Sequence, residues 1–573
     1  MSLQEKIGQM VQLTGVYFDK EAVLTGVVGE QLPPEWVIQY AGSVLGVIGK
    51  EKICDIQSKY MEQHPHHIPL LFMADVIHGC RTIFPIPLGQ ACSFHPELVS
   101  EAASIAASEA SSEGLKATFS PMIDVSRDPR WGRMLESFGE DPYVNGVMGE
   151  AMVDGYQQKN DEGIAACLKH FAGYGAVNAG REYNDVEISQ RTFLEQYVKP
   201  FRMALKAKPA MVMTAFNAID RKPISGNKEL LRDLLRDKEG FDGTVISDWG
   251  SIGQLEEQGV AADMDEAAVQ AIEAGVDIDM MSPAYMFRLE ELVKNGQIPE
   301  SFIDESAFRV LMMKNQLGLF ENPFAGLGKS GKLTLYNRTK AYQMASESCV
   351  LLKNEEILPL CQKQKVIWAG PYVTSKEFLS RWAIFGEPVE TIEAILQDKK
   401  MNAECIPGCR MLSEEECKIW QVEQDDSDEE IDEQWLETIT REDTVVCVLG
   451  EHESQSGEAA SRAFLTLPEE QQMLFEKIAK RTDNIVTVVI SGRPLDLRRI
   501  SEKSKAVIMA WRPGTMGAEA ITDLVYGITN PSGKLAVSIP WCVGQVPISY
   551  WDIKTGHVLT ADNLENRFTS RYM

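Results

Sequence analysis

The chain has 573 residues, 44% hydrophobic and 24% charged, a balance that excludes intrinsic disorder as its main state and supplies apolar residues for sizeable cores. Its 84 acidic against 56 basic residues leave a formal charge of −28, which disfavours nucleic acid and acidic membrane surfaces as partners and suits a neutral or cationic small ligand. Eleven scattered cysteines argue against a disulfide framework and for a reducing, cytoplasmic setting, MSLQEKIGQM lacks a secretory pattern, and no run of about 18 apolar residues marks a membrane span.

Between about residues 40 and 285, short apolar runs alternate with longer segments of helical spacing. The runs are SVLGVIG (43–49), PLLFMADV (69–76), ATFSPMIDV (117–125), IAACLKHFAG (164–173), PAMVMTAFNA (209–218), GTVISDWG (243–250) and AGVDIDMMS (274–282). Strands apolar on nearly every residue imply a parallel sheet covered by helices, and a spacing of about 35–45 residues points to a (β/α)8-type barrel. Helical patterns at 287–296 and 300–316 close this unit, placing a barrel domain over 1–320. Residues 321–340 read as a linker; its GxGxxG (Gly326, Gly328, Gly331) lacks a preceding strand, and its near P-loop fails at Leu333. A second alternation, VIWAGP (366–371), TVVCVLGE (444–451), NIVTVVISG (484–492) and AVIMAW (506–511), predicts a smaller α/β sandwich domain over 341–545, with a tail over 546–573. The acidic run 423–437 reads as a solvated face. His64, His66 and His67 read as a surface loop, and Cys405, Cys409 and Cys417 lack zinc-site spacing, so no metal or cofactor is expected.

In parallel α/β folds the C-terminal strand ends carry the site. Here they place Asp75 and His78, Lys169 and His170, Met213 and Phe216, and Asp248 and Trp249, while DVSRDPRWGRMLESFGED adds Arg127, Arg130, Trp131 and Arg133. Acids, bases and aromatic rings at a barrel mouth suit a polyhydroxylated ligand, because charged groups bind hydroxyls and rings stack on the apolar face of a sugar.

The motifs KHFAGYGA with GREYN, DPRWGR with ESFGED, and SDWG resemble glycoside hydrolase family 3, in its β-glucosidase/β-xylosidase branch. The segments CVLLKNEEILPL, SGEAASR, AWRPGTMGAEA, NPSGKL and GQVPISY extend the resemblance over nearly the whole chain. It implies a retaining exo-acting β-glucosidase without a cofactor, with Asp248 as nucleophile and Glu458 of the second domain as general acid/base; Glu451 and Glu453 are the competing acids. The sugar would be held by Asp75, Arg133, Lys169 and His170, with Trp249 as an aromatic wall and Met213 lining the pocket. Lys169, Arg133 and the strand-end dipoles would favour the ionised form of Asp248. The two carboxyl groups of a retaining enzyme stand roughly 5–5.5 Å apart. VNAGREYNDVEIS has no histidine, which argues against the hexosaminidase branch. Phe216 stands where many relatives have tyrosine, Ala383 follows Trp382 in a loop that elsewhere reads WS, and the chain stops at FTSRYM, so the usual C-terminal fibronectin-type domain is expected to be absent. The partner is a small carbohydrate, a homo-oligomer is compatible with this reading, and a β-xylosidase, an α-L-arabinofuranosidase or a non-hydrolytic sugar-binding protein are the alternatives.

Overall fold

The computed structural model describes residues 1–29, 31–158, 162–329, 334–383, 385–423, 434–557, 560 and 567. Eight parallel strands form the first sheet: β1 (Val11–Thr14), β2 (Ser43–Leu45), β3 (Leu71–Ala74), β4 (Ala117–Thr118), β5 (Ala165–Phe171), β6 (Met211–Thr214), β7 (Thr244–Ile246) and β8 (Asp279–Met280). They run in the order β8-β1-β2-β3-β4-β5-β6-β7, and a parallel bridge from Ile246 to Ile278 makes the ring nearly closed. The pleat sends alternate residues to opposite faces. Leu45, Met73, Phe119, Cys167, Met213 and Ile246 fill the barrel interior, while Val44, Phe72, Leu168, Val212 and Val245 meet the surrounding helices. Burial on both faces is why these strands read as continuous apolar runs.

The second sheet has six strands: β9 (Val350–Asn354), β10 (Val366–Ala369), β11 (Ala403–Ile406), β12 (Thr444–Gly450), β13 (Ile485–Ile490) and β14 (Ala506–Met509). Their order is β9-β14-β13-β12-β10-β11, with only β9 antiparallel to its neighbour. One face packs Trp368, Val446, Val448, Val488 and Ile508 into a core of their own; the other, with Val445, Cys447, Leu449, Val489 and Met509, continues the core that surrounds the barrel. The fold is therefore a barrel followed by an α/β sandwich. Beyond β14 the chain returns to the barrel domain. Ala536 O accepts from Glu140 N (3.2 Å), the Glu140 carboxylate accepts from Ser538 N (2.9 Å) and Tyr550 N (3.0 Å), and Arg127 stacks on Trp551 (4.5 Å).

Three strands of these two sheets escaped the sequence reading. β1 is four residues long and carries Gln12 and Thr14, while β9 and β11 are largely half-buried and lack the dense apolar signal of a central strand. The runs 117–125 and 274–282 shrink to two-residue strands, and helix Leu335–Ser348 begins inside the stretch read as linker. Gly331, Leu333, residues 424–433 of the acidic run and FTSRYM lie outside the described residues. All eleven cysteines are free thiols, and His64 is buried rather than at a surface, edge-on to Tyr40 at 5.6 Å. Among the described residues no group of His, Cys, Asp or Glu could hold a metal ion, and no helix is long and apolar enough to cross a membrane.

Candidate active site

Asp248 stands two residues beyond β7, at the C-terminal end of the barrel. Its Oδ1 accepts the Trp249 amide at 2.7 Å; its Oδ2 has no hydrogen-bond partner and lies 3.4 Å from His170 Nε2. Burial pushes this carboxyl up to about 7, against the downward pull of Arg133; the charge of Glu458 adds to the rise, and Lys169 and the Trp249 amide oppose it. The two cations do not hold it in the ordinary carboxylate range, because removal from water outweighs their attraction.

Beside it lies a buried charge cluster. Arg133, from the 3-10 turn Gly132–Glu136, forks onto Glu136 with Nε–Oε1 at 3.0 Å and Nη2–Oε2 at 3.1 Å. Lys169 of β5 reaches Asp75 Oδ1 at 3.4 Å and Glu136 Oε2 at 3.9 Å, and sits over the Trp382 ring at 5.5 Å. Two cations thus face Glu136 and Asp75 within the site. Burial raises Asp75 despite Lys169, whereas Arg133 and Lys169 together hold Glu136 below its ordinary value against burial. His170, fully buried, donates from Nδ1 to Asp124 Oδ2 at 2.8 Å, and the same Oδ2 accepts from the His170 amide at 2.9 Å. Burial, with Arg133 and Lys169 close by, depresses His170 well below the ordinary histidine value, so the ring is neutral. Its hydrogen bond to Asp124 assigns the proton to Nδ1 and turns the lone pair of Nε2 toward Asp248.

Glu458 comes from the loop after β12. Gly457 N donates to Gly132 O at 2.9 Å, and Arg462 N donates to Arg130 O at 3.0 Å, so this loop is stitched to the barrel loop that carries Arg133. Gly132 has to be glycine for that crossing: a Cβ there would lie 2.1 Å from Gly457 O. Arg493, fully buried, clamps both sides, donating to Pro129 O (2.8 Å) and Arg130 O (3.1 Å) of the barrel and to Gln455 O (2.6 Å) and Ala460 O (2.8 Å) of the loop. Glu458 Oε1 accepts from Tyr183 Oη at 2.8 Å and stands 3.7 Å from Arg133 Nη1. The competing acid Glu451 is buried elsewhere, hydrogen-bonded by Arg462 at 2.6 Å and Ser491 at 2.8 Å and ion-paired with Arg493 at 3.0 Å, and so is bound as a fixed anion. Neither Glu451 nor Glu453 lines the cavity that Glu458 enters.

That cavity, of about 710 Å³, has Asp75, Arg133, Lys169, Met213, Asp248, Trp249 and Glu458 on its walls. Of the residues assigned to catalysis or sugar binding, His170 alone does not line it; it stands behind the wall against Asp248. Of the other strand-end residues, Phe216 lines the cavity, His78 is bonded to Ser380 at 2.7 Å, Arg130 to Asp128 at 2.6 Å, and Trp131 to Glu182 at 3.2 Å. A larger cavity, of about 1250 Å³, opens at the other end of the barrel beside Lys116, Ala165, Ala210 and Thr244 and holds none of the predicted site residues.

Residues missed from sequence include Glu136, Asp124, Glu182, Tyr183 and the segment Leu24–Val27. An acid three residues after Arg133 is a signal for Glu136, and a carboxylate at the end of ATFSPMIDV is one for Asp124. Leu24–Val27 has no such signal. Val27 O accepts from Trp249 Nε1 at 2.9 Å, and Gly26 lies flat on the indole, where a Cβ would come within 2.3 Å of the ring.

The model of the glycosyl hydrolase family 3 N-terminal domain matches residues 2–313, and that of the C-terminal domain matches 349–570. The chain belongs to glycoside hydrolase family 3. Within that family, the periplasmic β-glucosidase of Salmonella typhimurium is 35% identical over 601 residues, spanning 100% of this chain and 77% of its own. A putative β-xylosidase of Formosa agariphila is 32% identical over 586 residues, covering 96% of this chain and 75% of its own. Among solved structures, the Listeria innocua β-glucosidase in complex with isofagomine superposes with a TM-score of 0.91 at 39% identity, over 100% of this chain and 79% of that one. A mutant of the same enzyme in complex with laminaribiose gives 0.89 at 38% identity, over 100% and 80%.

Proposed function

We propose that the protein is a retaining, exo-acting β-glucosidase that releases terminal non-reducing β-D-glucosyl residues from glucosides or short oligosaccharides. The observation that carries this reading is the meeting of two carboxylates from different domains, Asp248 and Glu458, at one cavity bedded on Arg133, Lys169 and Asp75. Support also comes from the relatives and structures called β-glucosidases, one of them holding laminaribiose.

In the first step an Asp248 oxygen attacks the anomeric carbon. The bond to the glycosidic oxygen breaks with its electron pair, and that oxygen takes the proton of Glu458. In the second step Glu458 removes a proton from water, the water oxygen bonds to the anomeric carbon, and the Asp248 ester bond breaks. Two inversions retain the configuration. Lys169, Asp75 and Arg133 supply charged donors and acceptors for the hydroxyls of the sugar, and Trp249 supplies an apolar face.

The xylosidase relatives define the competing reading, since glucose and xylose differ by the C6 hydroxymethyl group. A panel of 4-nitrophenyl glycosides separates the two. Higher kcat/KM on the β-glucoside than on the β-xyloside or α-L-arabinofuranoside is expected, and the reverse order would overturn the choice of sugar.

A further inference from the structure

The barrel loop 180–184, GREYN, takes no part in the steps above, yet it meets the acid loop of the second domain. Tyr183 sits at φ +61°, a left-handed conformation unfavourable for a tyrosine, so its surroundings must hold it there. They do so through its neighbour. The Glu182 amide donates to Ser461 Oγ at 3.2 Å, and Ser461 Oγ donates to Gly180 O at 2.7 Å, tying the loop to the residues just after Glu458. The Glu182 carboxylate, buried, accepts from Trp131 Nε1 at 3.2 Å and from the Tyr174 hydroxyl. The Tyr183 ring then rests edge-to-face on Phe216, with centroids 4.9 Å apart. So placed, its hydroxyl donates to Glu458 Oε1 at 2.8 Å, the oxygen that Arg133 also faces at 3.7 Å. Among the described residues no hydrogen bond reaches Glu458 Oε2.

We propose that Tyr183 is the positioning residue of the acid/base. By holding Oε1 it leaves Oε2 to carry the proton to the glycosidic oxygen and later to take one from water. A hydroxyl bonded to a carboxylate is stronger than one bonded to the neutral acid, and Glu458 becomes a carboxylate only as its proton leaves. The Tyr183 bond therefore tightens along the glycosylation step and lowers its barrier. This inference rests on Glu458 being the acid/base, and its test keeps the two claims apart.

Tyr183→Phe removes the hydroxyl and keeps the ring against Phe216. The expected result is a fall of about ten-fold in kcat/KM on phenyl β-glucoside, whose leaving group needs the proton. On 2,4-dinitrophenyl β-glucoside, which departs without it, the fall is expected to stay under about two-fold. In a Glu458→Gln background the same substitution should cost nothing further on phenyl β-glucoside, because the amide oxygen gains no charge in the reaction and the Tyr183 bond to it no longer tightens. Equal falls on both substrates, no fall on either, or an undiminished fall in the Glu458→Gln background would overturn the role of Tyr183. If Glu458→Gln alone lowered both substrates equally, the acid/base assignment itself would fail, and this inference with it.

Discussion

The two carboxylates of the site are held in opposite ways. Asp248 stands at a strand end, 8% exposed, against the neutral ring of His170 and beside a buried cluster of two cations and two further acids. Glu458 stands on a loop between Gly457 and Ala459, both at positive φ, with its side chain 27% exposed. The difference fits the role proposed for each group. A nucleophile needs a fixed line to one carbon and little competing water, which strand ends and dense packing supply. An acid that must also act as base has to meet leaving groups of varied shape and then water, so a half-buried loop serves it, provided other contacts fix its direction. Backbone bonds to the Gly132 and Arg130 carbonyls, the Arg493 clamp and the Tyr183 hydroxyl do so.

The comparison breaks most readily at Asp248. Asp248→Asn should lower kcat on the order of 10⁴-fold, on good and poor leaving groups alike, because the attacking oxygen is lost. Comparable turnover by the variant and the parent on an aryl glucoside would refute the assignment.

Glu136→Gln tests how far the rigid side depends on its buried charge. The substitution leaves Arg133 and Lys169 with too little negative charge in a dry site, so stability should fall by about 3 kcal/mol in denaturant unfolding. A midpoint and slope unchanged from the parent would show that this cluster is not what holds the nucleophile side in place.

The smallest effect is in the pH profile. Asp248 reacts only when ionised, and burial raises it to about 7, so kcat/KM should climb with pH through that region rather than through the ordinary aspartate range. Lys169 lowers Asp248, so Lys169→Met should move the acid limb upward by about one unit, apart from any loss in sugar binding. An acid limb near 4 in the parent, or one that Lys169→Met leaves in place, would remove Asp248 as its source.

Most of the barrel was legible because β2 to β8 are buried on both faces and read as apolar runs. β1 was not, since Gln12 points inward to Met73 Sδ and interrupts the pattern. The site residues on strand ends, Asp75, Lys169, Met213 and Asp248, were legible for a geometric reason: parallel strands bring their C-terminal ends to one mouth. Glu458 was legible only through its family motif, because nothing local marks a half-buried loop carboxylate as an acid. GREYN was visible as a motif without a role, since its contact with Glu458 crosses 275 residues of chain. Leu24–Val27 left no trace, as it meets Trp249 through a backbone carbonyl, a group every residue has. Arg133 and Lys169 do favour the ionised form of Asp248, as their charges led one to expect, but burial is the larger influence and carries the carboxyl the other way.

The central claim, that a barrel carboxylate forms a covalent bond to the sugar, is open to direct capture. A 2-deoxy-2-fluoro-β-glucoside with a dinitrophenyl leaving group slows the second step more than it prevents the first, so the glycosyl-enzyme accumulates. Digestion and mass spectrometry of the inactivated protein should find one fluoroglucosyl group, on the peptide that carries Asp248. A label on any other residue, or turnover with no covalent adduct, would contradict the account.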